Sequence, residues 1–237
     1  MWRRDPARAW RLVRIFGSPV LAWLGRGSVA YGAERIPQRG GVLVAANHFT
    51  ALDPVLVGGL APRSMYFFAK GQLFQRSLLT EAILWLGAIP VGHRADSRTA
   101  LRYATELLGA GRVVGIFVEG ARQRSDEMGD AMPGAALLAL RAGVPVVPCG
   151  VDTYGWSRRR RRPCVAVFGA PLSLGDLPRG RDGVELATVR IAAAIDNARR
   201  AAVAANEAGR PARLADGARR RAWRHAWLDA LRYRARA

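Results

Sequence analysis

The sequence predicts an α/β fold: a three-layer domain with a mixed, largely parallel sheet flanked by helices, plus an amphipathic helix at each end. Two observations carry this. Short apolar runs of strand length, at 42–46, 112–118, 144–151 and 164–168, alternate with segments whose apolar residues recur at helical spacing. Polar and ionisable residues cluster just after several of those runs, so the chemistry of the chain is expected at the strand ends.

The 237 residues suffice for one full core, and half of them are hydrophobic, which excludes disorder of the whole chain. The division expected is an interfacial helical segment at 1–27, a main domain at 28–206 and a basic amphipathic segment at 207–237. A net charge of +19 points to phosphate-bearing partners: nucleic acid, anionic lipid or phosphorylated substrates. Lys70 is the sole lysine, and the remaining cations are arginines, which fork onto phosphate oxygens. Codon bias explains an arginine excess equally well, so no site is drawn from the count. Cys149 and Cys164 lack metal-motif spacing and read as small core residues of a reducing compartment. The longest uncharged runs, 40–52 and 163–175, hold thirteen residues, short of the roughly 18 a spanning helix needs. No transmembrane span is expected. The apolar run 15–25 lacks a small-residue cleavage site and is read as retained.

The first 25 residues interleave Arg3, Arg4, Arg8, Arg11 and Arg14 with Trp2, Trp10, Phe16, Leu21 and Trp23. Indoles and guanidinium groups together suit the headgroup depth of a membrane, and Gly17-Ser18-Pro19 breaks the segment in two. Next come a short strand at 28–31, a loop at 36–41, the buried strand 42–46, and a helix over 53–60 with Asp53 as N-cap and Pro54 as its first residue. A strand at 64–69 leads to Lys70, a helix spans 77–86, and the stretch 87–94 follows. Asp96 or Ser97 caps a helix over 97–108 whose Leu101, Ala104, Leu107 and Leu108 face inward. The strand 112–118 gives way to a polar loop at 124–132. Pro133-Gly134 then opens a helix that Gly143 ends, and the strand 144–151 follows. The loop 154–163 contains five consecutive arginines at 158–162, expected to meet solvent or polyanions. After the strand 164–168 and a loop at 171–182, Val184, Ile191, Ile195, Ala198 and Ala202 mark one face of a long helix that covers the sheet. A linker at 206–216 precedes a basic helix over 217–237, whose Trp223, Trp227, Leu228 and Leu231 suit an anionic bilayer. Gly109-x-Gly111-x-x-x-Gly115 follows a helix and misplaces its third glycine, so a dinucleotide fingerprint is rejected.

The central stretch is Asn47-His48-Phe49-Thr50-Ala51-Leu52-Asp53. Five residues apart, His48 and Asp53 cannot share one face of a straight helix. A turn that folds His48 back over the helix mouth would join them. The carboxylate would then fix the imidazole tautomer and stabilise the imidazolium, leaving the other ring nitrogen to take a proton from a hydroxyl. A capping Asp and an unrelated surface His fit the spacing equally well.

His48 to Asp53 resembles the H-x4-D motif of the glycerolipid acyltransferases, the 1-acylglycerol-3-phosphate acyltransferase family. Three further blocks follow in that family's order, over about 35–174. Gly87 to Arg94 is similar to its second block, Gly-x-Ile-x-x-x-Arg, whose Arg holds the acceptor phosphate. Counting from Gly87 places His93 at that position and Arg94 one residue later. Arg94 is favoured because it stays cationic and forks onto phosphate. Phe117-Val118-Glu119-Gly120-Ala121-Arg122 resembles the third block, Phe-Pro-Glu-Gly-Thr-Arg-Ser, with Val118, Ala121 and Gln123 as departures. The apolar strand 144–151, with Pro148 near its end, matches the fourth, with the role of walling an acyl or pantetheine channel.

The resemblance implies acyl transfer from a thioester to an alcohol in phospholipid synthesis, without metal or cofactor. His48 and Asp53 would be catalytic, Arg94 and Arg122 would hold the acceptor phosphate, and Glu119 and Gly120 would shape its site. Asn47 or nearby backbone N–H groups are candidates for oxyanion stabilisation. The implied acceptor is a lysophospholipid, most simply 1-acylglycerol 3-phosphate, and the implied donor is acyl-CoA or acyl-carrier protein. The expected setting is peripheral, on an anionic membrane surface at the cytoplasmic face. Two alternatives stand beside it: a basic nucleic-acid-binding protein, against which the unpatterned aromatics speak, and a catalytically inactive membrane adaptor of the same fold.

Overall fold

The computed structural model describes residues 5–17, 22–23, 26–75, 77–92, 96–157 and 159–232. Its strands are β1 (Val29–Tyr31), β2 (Val42–Ala46), β3 (Met65–Lys70), β4 (Ala88–Val91), β5 (Val113–Phe117), β6 (Val146–Asp152), β7 (Val165–Phe168) and β8 (Arg220–Ala222). They form one sheet in the order β4-β3-β5-β2-β6-β7-β1-β8. The run β4-β3-β5-β2-β6 is parallel throughout. Strand β7 is antiparallel to β6 and parallel to β1, and β8 closes the edge antiparallel to β1.

The helices are α1 (Ala7–Leu12), α2 (Asp53–Leu60), α3 (Ser77–Trp85), α4 (Ser97–Gly109), α5 (Gly134–Ala142), α6 (Arg181–Glu207) and α7 (Trp223–Arg232). The period-2 alternation of β2 sorts its side chains to two faces. Val42, Val44 and Ala46 pack with α1, α2 and α7, whereas Leu43 and Ala45 pack with α4, α5 and α6. These are the three layers and the mixed, largely parallel sheet that the periodicity predicts.

Strand β2 lies between β5 and β6, both parallel to it, so three neighbouring carboxyl ends open on one edge of the sheet. The segments leaving those ends, 47–53, 118–123 and 153–156, meet there. This is the usual place for a site in a parallel sheet.

Several local expectations are corrected. Residues Ala88–Val91, to which the sequence pattern assigns no element of their own, pair with Phe67–Lys70 as an edge strand. Arg220–Ala222, read as helix, pair with β1. Asp53 is the first helical residue rather than the cap: Leu52 precedes it in αR geometry without a capping side chain, which leaves the Asp53 carboxylate for the preceding turn. The expected linker at 206–216 is tied down. Asn206 bonds Asp152 and the Pro163 carbonyl, and the Tyr31 hydroxyl donates to the Pro211 carbonyl at 2.7 Å. Trp10 and Trp223, assigned to a bilayer, are buried in the cluster that holds β2 and α2.

Their burial has a specific cause. Gly58 and Gly59 remove two side chains from the end of α2, and the indoles of Trp10 and Trp223 fill that space; a Cβ on either glycine would overlap them. The Trp10 indole N–H donates to the Met65 carbonyl at 2.8 Å. Beside them Arg14, on a π-type turn at Val13–Gly17, donates to the carbonyls of Gly58, Gly59, Ala61 and Arg63 at 2.9 to 3.2 Å. Those of Gly58 and Gly59 are acceptors that the end of α2 leaves unpaired, and the other two lie just beyond it. Burial lowers the Arg14 pKa to about 10, so the group stays charged at neutral pH and acts as a cationic C-terminal cap. Arg14→Ala strands those acceptors. The expected loss is about 2–3 kcal/mol, a fall in Tm of roughly 5–10 °C measured by calorimetry.

Candidate active site

The sequence between β2 and α2 folds as the H-x4-D spacing requires. His48 turns back over the first turn of α2, and its Nδ1 lies 2.7 Å from Asp53 Oδ2. The Asp53 side chain is fully buried, while that of His48 is 18% exposed. The same Oδ2 accepts the backbone N–H groups of Phe49 and Thr50, at 2.7 and 2.9 Å. Oδ1 accepts the hydroxyls of Thr50 and Thr153, at 2.8 and 2.6 Å. Five donors therefore satisfy one buried carboxylate, the condition under which a charge is tolerated inside a protein. An ionised carboxylate only accepts, so Nδ1 carries the proton, and Nε2 is left unprotonated to serve as a base.

The imidazole rests on a column of rings. It stacks on Phe117 with centroids 4.2 Å apart, and Phe117 stacks on Phe67 at 5.8 Å. The His48 backbone is held at both ends. Its N–H donates to Glu119 Oε2 at 2.5 Å, and its carbonyl accepts the Gln123 N–H at 2.8 Å. Glu119 Oε1 accepts the Gly129 N–H at 2.8 Å. Glu119 thus braces His48 and the 119–129 loop together. Both of its oxygens accept a backbone N–H. Burial raises the pKa of Glu119, and the two backbone donors oppose that rise.

Asn47 is also committed. Its Oδ1 accepts the Val151 N–H at 2.8 Å and its Nδ2 donates to the Val151 carbonyl at 3.1 Å, with the side chain fully buried. It locks β2 to β6 and is removed from the oxyanion candidates. Gly120 adopts φ +65°, the left-handed region, and turns the chain away from β5 where a Cβ would press on Met132. Arg122 is exposed, and among the described residues its guanidinium pairs with no protein group, so it is available to an anion. His93 and Arg94 lie outside the described residues, as does Arg158. Of the remaining arginine run, Arg162 pairs with Asp152 at 2.7 Å and Arg161 stacks over Trp23 at 3.8 Å.

Thr153 is the site residue that sequence reasoning missed. It lies 100 residues from Asp53, and nothing in the local pattern after β6 distinguishes its hydroxyl from that of any loop threonine. Both cysteines are held as thiols by burial, Cys164 with a pKa pushed up to about 12, so neither serves as a nucleophile at neutral pH. The arrangement is an imidazole with a fixed tautomer, and the exposed Arg122 follows from the end of the neighbouring β5. An imidazole held this way can take a proton from a hydroxyl.

Known proteins match this assembly. The pattern of the family described as Acyltransferase fits residues 28–152. A 1-acyl-sn-glycerol-3-phosphate acyltransferase of Bacillus subtilis is 26% identical over 160 residues, 66% of this chain and 79% of that protein. The enzyme of that name from Streptococcus pneumoniae is 30% identical over 180 residues, 73% of this chain and 66% of that protein. The crystal structure of the 1-acyl-sn-glycerophosphate acyltransferase from Thermotoga maritima has the same fold, with a TM-score of 0.63 at 23% identity over 82% of this chain and 83% of that one. The family pattern spans more than half of the sequence and includes His48, Asp53, Glu119 and Arg122; this chain belongs to the acyltransferase family and is an acyltransferase enzyme.

Proposed function

We propose that the protein transfers an acyl chain from a thioester, acyl-CoA or acyl-carrier protein, to the hydroxyl of a lysophospholipid, most simply 1-acylglycerol 3-phosphate. The observation that carries this is the 2.7 Å bond between His48 and the buried, donor-saturated Asp53. The names of the relatives from Bacillus and Streptococcus support the choice of acceptor.

In the reaction, His48 Nε2 takes the proton from the acceptor hydroxyl as its oxygen attacks the thioester carbonyl. Asp53 stabilises the imidazolium that forms. The tetrahedral intermediate then expels the thiolate, which takes the proton from His48, and the ester and free thiol leave. Arg122, joined by Arg94, holds the acceptor phosphate, and Gly120 lets the backbone approach it. Glu119 keeps His48 in place through its backbone and, with Gly120, shapes the acceptor site.

The reaction is placed at a membrane surface. Leu12, Phe16 and Trp23 near the start of the chain, and Trp227, Leu228 and Leu231 on α7, expose large apolar side chains, with Phe16 72% and Trp23 63% exposed. The first and last of these elements touch, since Arg11 Nε donates to the Ala230 carbonyl at 3.1 Å. Among the described residues no helix is long and apolar enough to cross a membrane. A surface of exposed indoles and arginines supports peripheral attachment to anionic lipid at the cytoplasmic face.

His48→Ala is expected to cut thiol release from acyl-CoA by at least about 100-fold while circular dichroism and Tm stay as in the parent. Arg122→Ala should raise the KM for a phosphorylated acceptor about tenfold and leave kcat within about twofold. Unchanged turnover in both variants refutes the assignment. In sedimentation, the protein should pellet with anionic vesicles and stay in the supernatant with zwitterionic ones, and Phe16→Ser combined with Trp227→Ser should release it. Preference for DNA or RNA over those vesicles at equal salt would favour a nucleic-acid-binding role.

A further inference from the structure

The strand-to-turn junction after β6 reaches the catalytic pair from a distant part of the chain. Every other donor to the Asp53 carboxylate belongs to residues 48–50 and moves with the same turn. Among the described residues, Thr153 is the one donor from another element. Its side chain is fully buried, and its Oγ1 lies 2.6 Å from Asp53 Oδ1. Its own backbone is fixed by the turn it begins, where the Trp156 N–H donates to the Thr153 carbonyl at 3.0 Å and Gly155 adopts φ +75°. Next to it, Tyr154 packs edge-on against Phe49 with centroids 5.9 Å apart, and its hydroxyl donates to the Arg124 carbonyl at 2.9 Å.

We propose that Thr153 is a positioning residue for acyl transfer: its hydroxyl locks the Asp53 carboxylate to β6, so that Oδ2 stays aimed at His48 Nδ1 through the catalytic cycle. The inference rests on the reading of His48 as the base. A carboxylate can rotate about its terminal torsion, which is broad and nearly two-fold. Thr50 restrains Oδ1 only relative to the turn, because the same hydroxyl also accepts the Leu52 N–H. Thr153 adds the reference point outside the turn. The register supplies the reason: β2 and β6 are parallel neighbours with Ala46 opposite Cys149, so the residues that leave both strands run side by side. Asn47 then grips the Val151 backbone, and a few residues further on Thr153 grips Asp53. Strand β6, expected to wall a channel, carries a polar lock at its end.

Thr153→Val keeps the shape and removes the hydroxyl, whereas Thr153→Ser keeps the hydroxyl. Thr153→Val is expected to lower kcat about tenfold, the worth of one buried hydrogen bond, with the acceptor KM within about twofold, and Thr153→Ser to restore the parent kcat. Should the valine variant fail to fold, Thr153→Ala against Thr153→Ser gives the same contrast, because both lack the methyl and only one has the hydroxyl. A second readout needs no substrate. The Nδ1 proton of His48, identified by its absence in His48→Ala, should give a downfield proton resonance in the parent that broadens into solvent exchange in Thr153→Val and returns in Thr153→Ser. Parent-like kcat and an unchanged resonance in Thr153→Val overturn the proposal, as does a serine variant impaired as much as the valine one. A parent protein that releases no thiol from acyl-CoA with any lysophospholipid defeats the functional reading instead, and the resonance still tests the lock.

Discussion

A carboxylate with no access to water sits at the mouth of α2, and the surrounding structure is arranged to make that tolerable. Removing a charged group from water costs several kcal/mol unless donors replace the lost hydration. Asp53 has five: three N–H groups on one oxygen and two hydroxyls on the other. Four of these come from the turn at 48–50, so the turn has its shape because the carboxylate is there. The imidazole is held over the mouth of α2 as part of the same arrangement. The pose of His48 and a buried charge are satisfied by one set of contacts.

The support extends outward through neighbours in the sheet. The loop after β5 holds the His48 backbone through Glu119 and Gln123. The end of β6 holds Asn47 and Asp53 through Val151 and Thr153. At the far end of α2, segments from both chain termini close on Gly58 and Gly59, and Arg14 caps the carbonyls that the helix leaves open. The helix that begins with Asp53 is therefore fixed at both ends. The arginines that composition lumps together divide into distinct tasks: Arg14 is an internal cap, Arg162 pairs with Asp152, and Arg122 is exposed.

Much of the architecture is written in local pattern. The continuous apolar runs at 42–46 and 113–117 and the helical spacing over 97–108 and 184–202 specify buried strands and amphipathic helices because the pattern of burial is set by neighbouring side chains. Edge strands escape this logic. Ala88–Val91 contains a proline, and Arg220–Ala222 is mostly charged, so each pairs only because a neighbouring strand offers its backbone. The two tryptophans are similar. Trp10 and Trp223 sit among arginines in amphipathic segments and read as interfacial, yet glycines far along the chain leave room for their rings inside.

The sequence by itself determined the α/β class and the place of the His48–Asp53 turn between a strand and a helix. Those follow from patterns within a few residues, where chain geometry allows few outcomes; the spacing alone left open whether the two side chains meet. Only the tertiary structure decided that Glu119 braces the His48 backbone, that Asn47 is consumed by β6, and that a threonine 100 residues away completes the shell around Asp53. Strand order makes those contacts, and a hydroxyl or amide carries no mark of its partner until the sheet brings the two together.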